Sequence, residues 1–267
     1  MTAKEPVLIV EKHRDGKVWV MKMNRPHRLN AIGEGMMGQL TKTWKEFRDD
    51  PVARVAILAA NGRAFSAGMD LKEGAERIER LARGEAVPPM DDRWIPLSES
   101  LDMWKPTIAA VNGYALAGGF MFAMQCDIRI ASEDAEFGVP EVRWNRAGGQ
   151  WMTCMTRIIG LGHAAELCMW GDGRISARRA YEIGLVNRVV PKDKLVEEAM
   201  AWADRMLLLA PRSVMNVKRC LYRGYYMSPL DGEAFGKAVE QNLAGMEDSV
   251  EGSRAFEEGR PPVYKNR

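Results

Sequence analysis

The sequence predicts an α/β chain organised around a parallel sheet, and three observations lead there. Continuous apolar runs at residues 55–59, 107–111, 128–131 and 185–190 are bounded by polar residues, which suits strands buried on both faces. Segments of helical periodicity lie between them, and strand–helix alternation calls for parallel pairing with right-handed crossovers. Beyond about residue 192 the strand-like runs stop and the pattern is helical alone.

Each element has its own signal. Residues 7–10 and 17–23 read as two strands joined by a turn at Asp15-Gly16. Met36, Met37, Leu40, Trp44 and Phe47 recur at helical spacing, which predicts a helix between Gly35 and Asp50. Further helices are expected over 118–125, 150–159 and 176–183. The C-terminal region holds four more, over 195–209, 211–222, 229–244 and 250–257. Pro211 suits a first helical position, where its missing N–H leaves no bond unmade. The segment 73–96 is charged, then carries Pro88-Pro89 and the acidic pair Asp91 and Asp92, and reads as a helix followed by a mobile loop, either a surface insertion or a substrate lid.

Composition narrows the function classes. A length of 267 residues accommodates one α/β domain with an appendage, or two small domains, and 46% hydrophobic residues supply a sizeable core. A net charge of +2 favours neither a nucleic acid nor a membrane surface as partner. Cys126, Cys154, Cys168 and Cys220 form no CxxC pair and no metal-ligand spacing with a histidine, so a reducing cytoplasm is expected. The first sixteen residues are too polar for a signal peptide, and no stretch reaches the length of a membrane span.

Two glycine-containing turns carry the chemical signal. One is Phe65-Ser66-Ala67-Gly68-Met69-Asp70-Leu71, after the run at 55–59; the other spans Asn112 to Gly119, after the run at 107–111. A strand-to-helix turn leaves free N–H groups at a helix N-terminus, where the dipole favours negative charge. Two such turns could aim two donors at one oxygen, the arrangement that a thioester enolate requires. Ordinary tight turns would look the same from spacing alone.

The motifs NRPHRLNA (24–31), AFSAGMDL (64–71), KPTIAAVNGYALAGG (105–119), CDIRIA (126–131) and EFGVPEV (136–142) occur in the order found in the crotonase family of enoyl-CoA hydratases and isomerases. The stretches at 180–187 and 257–265 fit as well, so the resemblance spans nearly the whole chain. It implies a spiral of ββα repeats over residues 1–191, and a C-terminal helical trimerisation region over 192–267 that builds a homotrimer or a hexamer of two trimers. It implies that Met69 and Gly118 supply the oxyanion-hole N–H groups. Ala67 and Gly68 would lie against coenzyme A, with Arg28 and Lys72 as candidates for its phosphates. No metal or redox cofactor is implied; coenzyme A enters as part of the substrate.

The acid–base pair departs from the pattern. Hydratases of this family usually carry two glutamates, one three residues after the hole glycine and one in a Pro-Glu pair further on. The second is present as Glu141 after Pro140; the first position is Met121, which cannot move a proton. Glu141 alone could act as base and then as acid. A single carboxylate resembles the double-bond isomerases, and also the hydroxycinnamoyl-CoA hydratase-lyases, whose GGF and E-x-x-W patterns recur here as Gly118-Gly119-Phe120 and Glu141 to Trp144. Met121 and Trp144 are then expected to line an acyl pocket. Asn145 and Arg146 replace the family's usual Gly/Pro-rich stretch, which leaves the shape of that pocket open. Asp70 reads as a helix cap and Asp127 as structural, while His13, His27 and His163 lie outside the motifs and suggest no Ser-His-Asp arrangement. A non-catalytic acyl-CoA- or RNA-binding protein on the same fold is the reading from another class.

Overall fold

The computed structural model describes residues 5–33, 35–87, 97–147 and 149–267, without the side chains of Gly149 and Gln150. Strands β1 (Leu8–His13) and β2 (Val18–Met23) form an antiparallel hairpin. Its turn is closed by a bond from Lys17 N–H to Arg14 O, with Asp15 and Gly16 both at positive φ, the geometry that matches the twist of the strands. Helix α1 (Met36–Asp49) then crosses to β3 (Val55–Ala60), which pairs parallel with β2.

From β3 onward a unit repeats. A long strand enters the main sheet, a three-residue strand enters a second sheet, and a helix follows. The units are β3, β4 (Ala64–Ser66) and α2 (Leu71–Ala82), with the one-turn helix α3 (Leu97–Ser100) behind; β5 (Thr107–Val111), β6 (Tyr114–Leu116) and α4 (Gly118–Gln125); and β7 (Ile128–Ser132), β8 (Glu136–Gly138) and α5 (Gly149–Trp170). Next come β9 (Ile175–Ser176), α6 (Ala177–Glu182) and β10 (Arg188–Val190), then α7 (Leu195–Leu207), α8 (Pro211–Gly224), α9 (Pro229–Gln241) and α10 (Glu247–Glu257). The six-stranded sheet runs β1-β2-β3-β5-β7-β10 and the four-stranded sheet β4-β6-β8-β9. This is the spiral of ββα turns expected from the motifs.

The continuous apolar strands are buried on both faces because alternate residues feed two cores. On β3, Ala56 and Leu58 join the larger cluster with Phe65, Phe120 and Trp151, while Val55, Ile57 and Ala59 face Leu195, Ala199 and Ala203 of α7. That four-residue spacing on α7 is one helix face, so the first C-terminal helix belongs to the packing of the sheet.

Three expectations are revised. The run 185–190 gives a strand only at 188–190, because the N–H groups of Leu185 and Val186 turn back to Ala180 O around Gly184 (φ 80°) and cap α6. The helix expected over 150–159 extends to Trp170, with a break at Gly160 (φ 76°, ψ 161°) that changes its direction. The turns at 65–71 and 112–119 each contain a short strand before the turn proper, too brief to show a period in the sequence. The expected helix within 73–96 is α2; the loop that follows, with Asp91 and Asp92, lies outside the described residues.

Candidate active site

The short sheet positions the site. Strands β4, β6 and β8 are parallel neighbours, with Ser66 beside Ala115 and Leu116 beside Gly138. Their carboxyl ends therefore discharge at one edge of the sheet, about 4.8 Å apart from strand to strand. Met69 follows three residues after β4, Gly118 two residues after β6 and Glu141 three residues after β8.

The first turn is braced by the segment 25–32. Ile32 donates to Gly68 O at 2.8 Å and accepts from Asp70 N–H at 3.0 Å. This one-rung parallel bridge uses the groups flanking Met69, so the Met69 N–H points away from Ile32 and finds no backbone acceptor among the described residues. Asn30, wholly buried, ties the brace together. Its amide donates to Asn61 O and Ala64 O, both at 2.8 Å, and its carbonyl oxygen accepts from Arg25 N–H at 2.7 Å. Asp70 caps α2 by accepting from Lys72 N–H, and its carboxylate also meets Arg25 (3.4 Å) and Arg28 (3.1 Å). Burial works against the Asp70 charge, yet the Arg28 guanidinium and the helix-start N–H groups hold it below the usual carboxylate range.

The second turn meets the first. Ala117 N–H bonds Gly138 O at 3.0 Å, and Ala117 itself is held at φ 51°, ψ −127°, outside the regions an L-residue prefers. It starts α4 with no side-chain cap, so the first N–H groups of that helix, at its positive dipole end, are left without a capping acceptor. A Cβ on Gly68 would lie 2.6 Å from Ala117 Cβ and 3.1 Å from Gly118 N, and one on Gly119 would overlap the Ser66 carbonyl. The two turns are thus in van der Waals contact. Met69 and Gly118, each with an N–H lacking a backbone partner among the described residues, sit on either side of that contact.

Glu141 opens a single 3-10 turn that ends at Trp144. Its side chain is half-buried, and Oε2 is enclosed with no hydrogen-bond partner among the described residues. Burial pushes its pKa up, against the smaller pull of its own backbone N–H and of Arg146. Helix α5 packs against this turn, and burial, with the Glu141 charge as the lesser cause, raises the Cys168 thiol to about 11.

The remaining expected site residues fall in three places. Met121, 1% exposed, stands one turn into α4 and lines a cavity of about 360 Å³ between α4, α5 and the end of α8. Trp144 is 55% exposed, with the Arg143 guanidinium 6.0 Å from its ring, and stands off the wall of that cavity. Arg28 leans on Asp70 with its side chain 37% exposed, and Lys72 is exposed with no ion pair among the described residues. Ala67 and Gly68 lie in the first turn, where Ala67 N–H bonds Leu29 O. Sequence reasoning missed Trp151, Ile158, Leu221 and Tyr222 on the cavity wall; their helical spacing reads as ordinary packing. Among the described residues no group of three His, Cys, Asp or Glu side chains could hold a metal ion, and no helix is long and apolar enough to cross a membrane.

Comparison with known proteins agrees with this architecture. The sequence profile described as "Enoyl-CoA hydratase/isomerase" matches residues 13–267. The chain is 32% identical over 265 residues to the mitochondrial enoyl-CoA hydratase of Pongo abelii, covering 98% of this chain and 89% of that protein. It is 35% identical over 245 residues to the (E)-benzylidenesuccinyl-CoA hydratase of Thauera aromatica, covering 91% and 93%. The crystal structure of an enoyl-CoA hydratase from Bacillus anthracis superposes with a TM-score of 0.86 at 30% identity, over 98% of this chain and all of that one. With the ββα spiral, the paired turns and these matches spanning nearly its whole length, the chain belongs to the enoyl-CoA hydratase/isomerase (crotonase) family and is an enzyme of that family.

Proposed function

We propose that the chain binds an acyl-CoA thioester, holds its carbonyl oxygen with the backbone N–H groups of Met69 and Gly118 as enolate charge develops, and moves the proton with Glu141. The observation that carries this reading is the contact of two turns whose N–H groups lack backbone partners, reached from the adjacent strand by a half-buried carboxylate with an unpartnered oxygen. Donors fixed before the reaction stabilise the enolate without reorganising, which is where such sites gain most of their rate. A raised pKa suits Glu141 to both halves of the cycle, since it is basic enough to take a proton and acidic enough to return it.

With Met121 at the first of the two glutamate positions, Glu141 is the single proton carrier. In hydration it would take a proton from water as oxygen bonds to C3 and then protonate the enolate at C2. In double-bond isomerisation it would remove a C2 proton and return it to C4. In hydration followed by carbon–carbon cleavage, Glu141 would next take the C3 hydroxyl proton as the C2–C3 bond breaks, and the same two N–H groups would hold the enolate of the released acetyl-CoA until C2 is protonated. The Ala67 carbonyl and Gly68 would receive the adenine end of coenzyme A, and Arg28 and Lys72 its phosphates; the exposure of Lys72 supports this. Trp144 would flank the acyl group from the Glu141 turn. The region 192–267 would form a homotrimer or a hexamer, supported by the exposed Leu230 and Phe256 on α9 and α10. Four free thiols support a cytoplasmic setting.

Exchange at C2 tests the reading. In D₂O the protein should exchange the C2 protons of butyryl-CoA, read by mass spectrometry, and Glu141→Gln should slow this by about 10²-fold or more. Unchanged exchange in the variant would remove Glu141 from the mechanism, and no exchange in the wild type would remove the enolate.

A further inference from the structure

We propose that the cavity beside Met121 receives the acyl arm of the thioester and that this arm carries a ring, an aryl or other cyclic group beyond C3. The inference rests on the proposed thioester site and adds the class of acyl group. Position is the first argument. Met121 N–H bonds Ala117 O, so Met121 lies one helical turn beyond the Gly118 N–H. At 1.5 Å rise per residue, Met121 stands about 4.5 Å along the helix axis from Gly118, and Met121 is on the cavity wall.

Size is the second. A dry apolar cavity of roughly 150 Å³ holds benzene. The space here is about 360 Å³, enough for a ring together with its linking carbons. A four-carbon chain would leave most of it filled by water against apolar walls.

Wall chemistry is the third. Met121, Met124, Trp151, Ile158 and Leu221 provide apolar surface, and the Trp151 ring is fixed edge-on to Phe120 at 6.0 Å. Tyr222 presents its ring while its hydroxyl is committed to Asp127 at 2.8 Å. A buried ring is favoured by such aromatic and thioether neighbours. A carboxylate at position 121 would be stripped of water by the same ring, so the methionine there is consistent with a bulky apolar occupant. Glu99, Gln125, Asp127, Arg129 and Arg157 are the polar members of the wall, with the Arg157 guanidinium 4.0 Å from the Tyr226 ring centroid.

The test uses unreactive saturated thioesters and calorimetry on the full chain. 3-Phenylpropionyl-CoA should bind about tenfold or more tighter than butyryl-CoA, as burial of a ring implies, and tighter than octanoyl-CoA, whose chain is as long but thin. Cys154→Phe and, separately, Ile158→Trp fill the cavity and should reduce the phenylpropionyl-to-butyryl ratio to about threefold or less; circular dichroism establishes that each variant folds. Equal affinities in the wild type overturn the proposal, as does a ring preference that neither folded variant changes. Intact C2 exchange with equal affinities would reject the cavity assignment alone, whereas ring preference without C2 exchange would reject the enolate reading and leave the cavity as a binding site.

Discussion

Gly68→Ala is the substitution with the most to say about the site. Gly68 has φ 86°, and an added Cβ would lie 2.6 Å from Ala117 Cβ and 2.9 Å from Leu116 O. Carbon atoms are at optimal separation near 3.5–4.0 Å, so one turn must retreat from the other by about 1 Å. The left-handed conformation adds roughly 1–2 kcal/mol of strain for an alanine. Total destabilisation should be about 2–4 kcal/mol, in the range of other overpacked and strained positions. The catalytic effect should be larger than stability alone explains, because a displacement of about 1 Å in a reacting geometry costs on the order of 10²-fold. The assay is C2 exchange of butyryl-CoA at saturating thioester, beside thermal unfolding. Gly74→Ala is the control: it sits on α2 with open space around it, and a helical Gly→Ala change should leave exchange alone and add up to about 1 kcal/mol. If Gly68→Ala exchanged within about threefold of wild type, the contact between the turns would not be what sets the geometry.

Three further outcomes follow from the structure. Lys218→Met should destabilise the chain by about 3 kcal/mol, lowering Tm by roughly 6–12 °C; Lys218 and Asp127 are 7% and 16% exposed and 2.8 Å apart, and the surviving bonds from Thr107 and Tyr222 to Asp127 keep the loss from being larger. Differential unfolding with an Asp127→Asn, Lys218→Met double variant isolates the pair. The second outcome concerns Glu141, whose folded pKa is raised above 4.5 by burial, so the native state binds the extra proton and stability falls as pH rises from about 4.5 through the folded value. Glu141→Gln should therefore be more stable than wild type at pH 7 and equal to it below about pH 4; denaturant unfolding at the two pH values reads the difference, and an unchanged gap contradicts it. Third, Met121→Glu restores a second carboxylate and should raise hydration of crotonyl-CoA by about tenfold or more, measured by loss of enoyl absorbance; no gain would mean that a missing carboxylate is not limiting.

Much of the fold was legible because its main strands are buried on both faces. Runs such as Thr107 to Val111 then carry an unbroken apolar signal, and that strand has the bounds expected of it. Helix α4 was equally plain, set off by Gly118-Gly119 at its start and Cys126-Asp127 after it. The second sheet was not legible: three residues cannot display a period, and its strands are recognised only by their partners across the sheet. Leu185 and Val186 have strand-like side chains, but their N–H groups were already committed to a helix cap, which composition does not reveal. For the site, the motifs located both turns and Glu141, while the brace of Arg25, Asn30 and Asp70 became visible only when residues 45 positions apart met. The cavity was hidden for a related reason, since Trp151, Leu221 and Tyr222 come from two helices that the sequence separates by a long interval.

The most direct measurement is a crystal structure with acetoacetyl-CoA, whose thioester oxygen carries enolate character. The expected result is that oxygen between Met69 N and Gly118 N, about 2.7–3.1 Å from each, with a Glu141 oxygen facing C2. A thioester bound elsewhere, or one touching a single N–H while Glu141 points away, would contradict the proposed mechanism at its root.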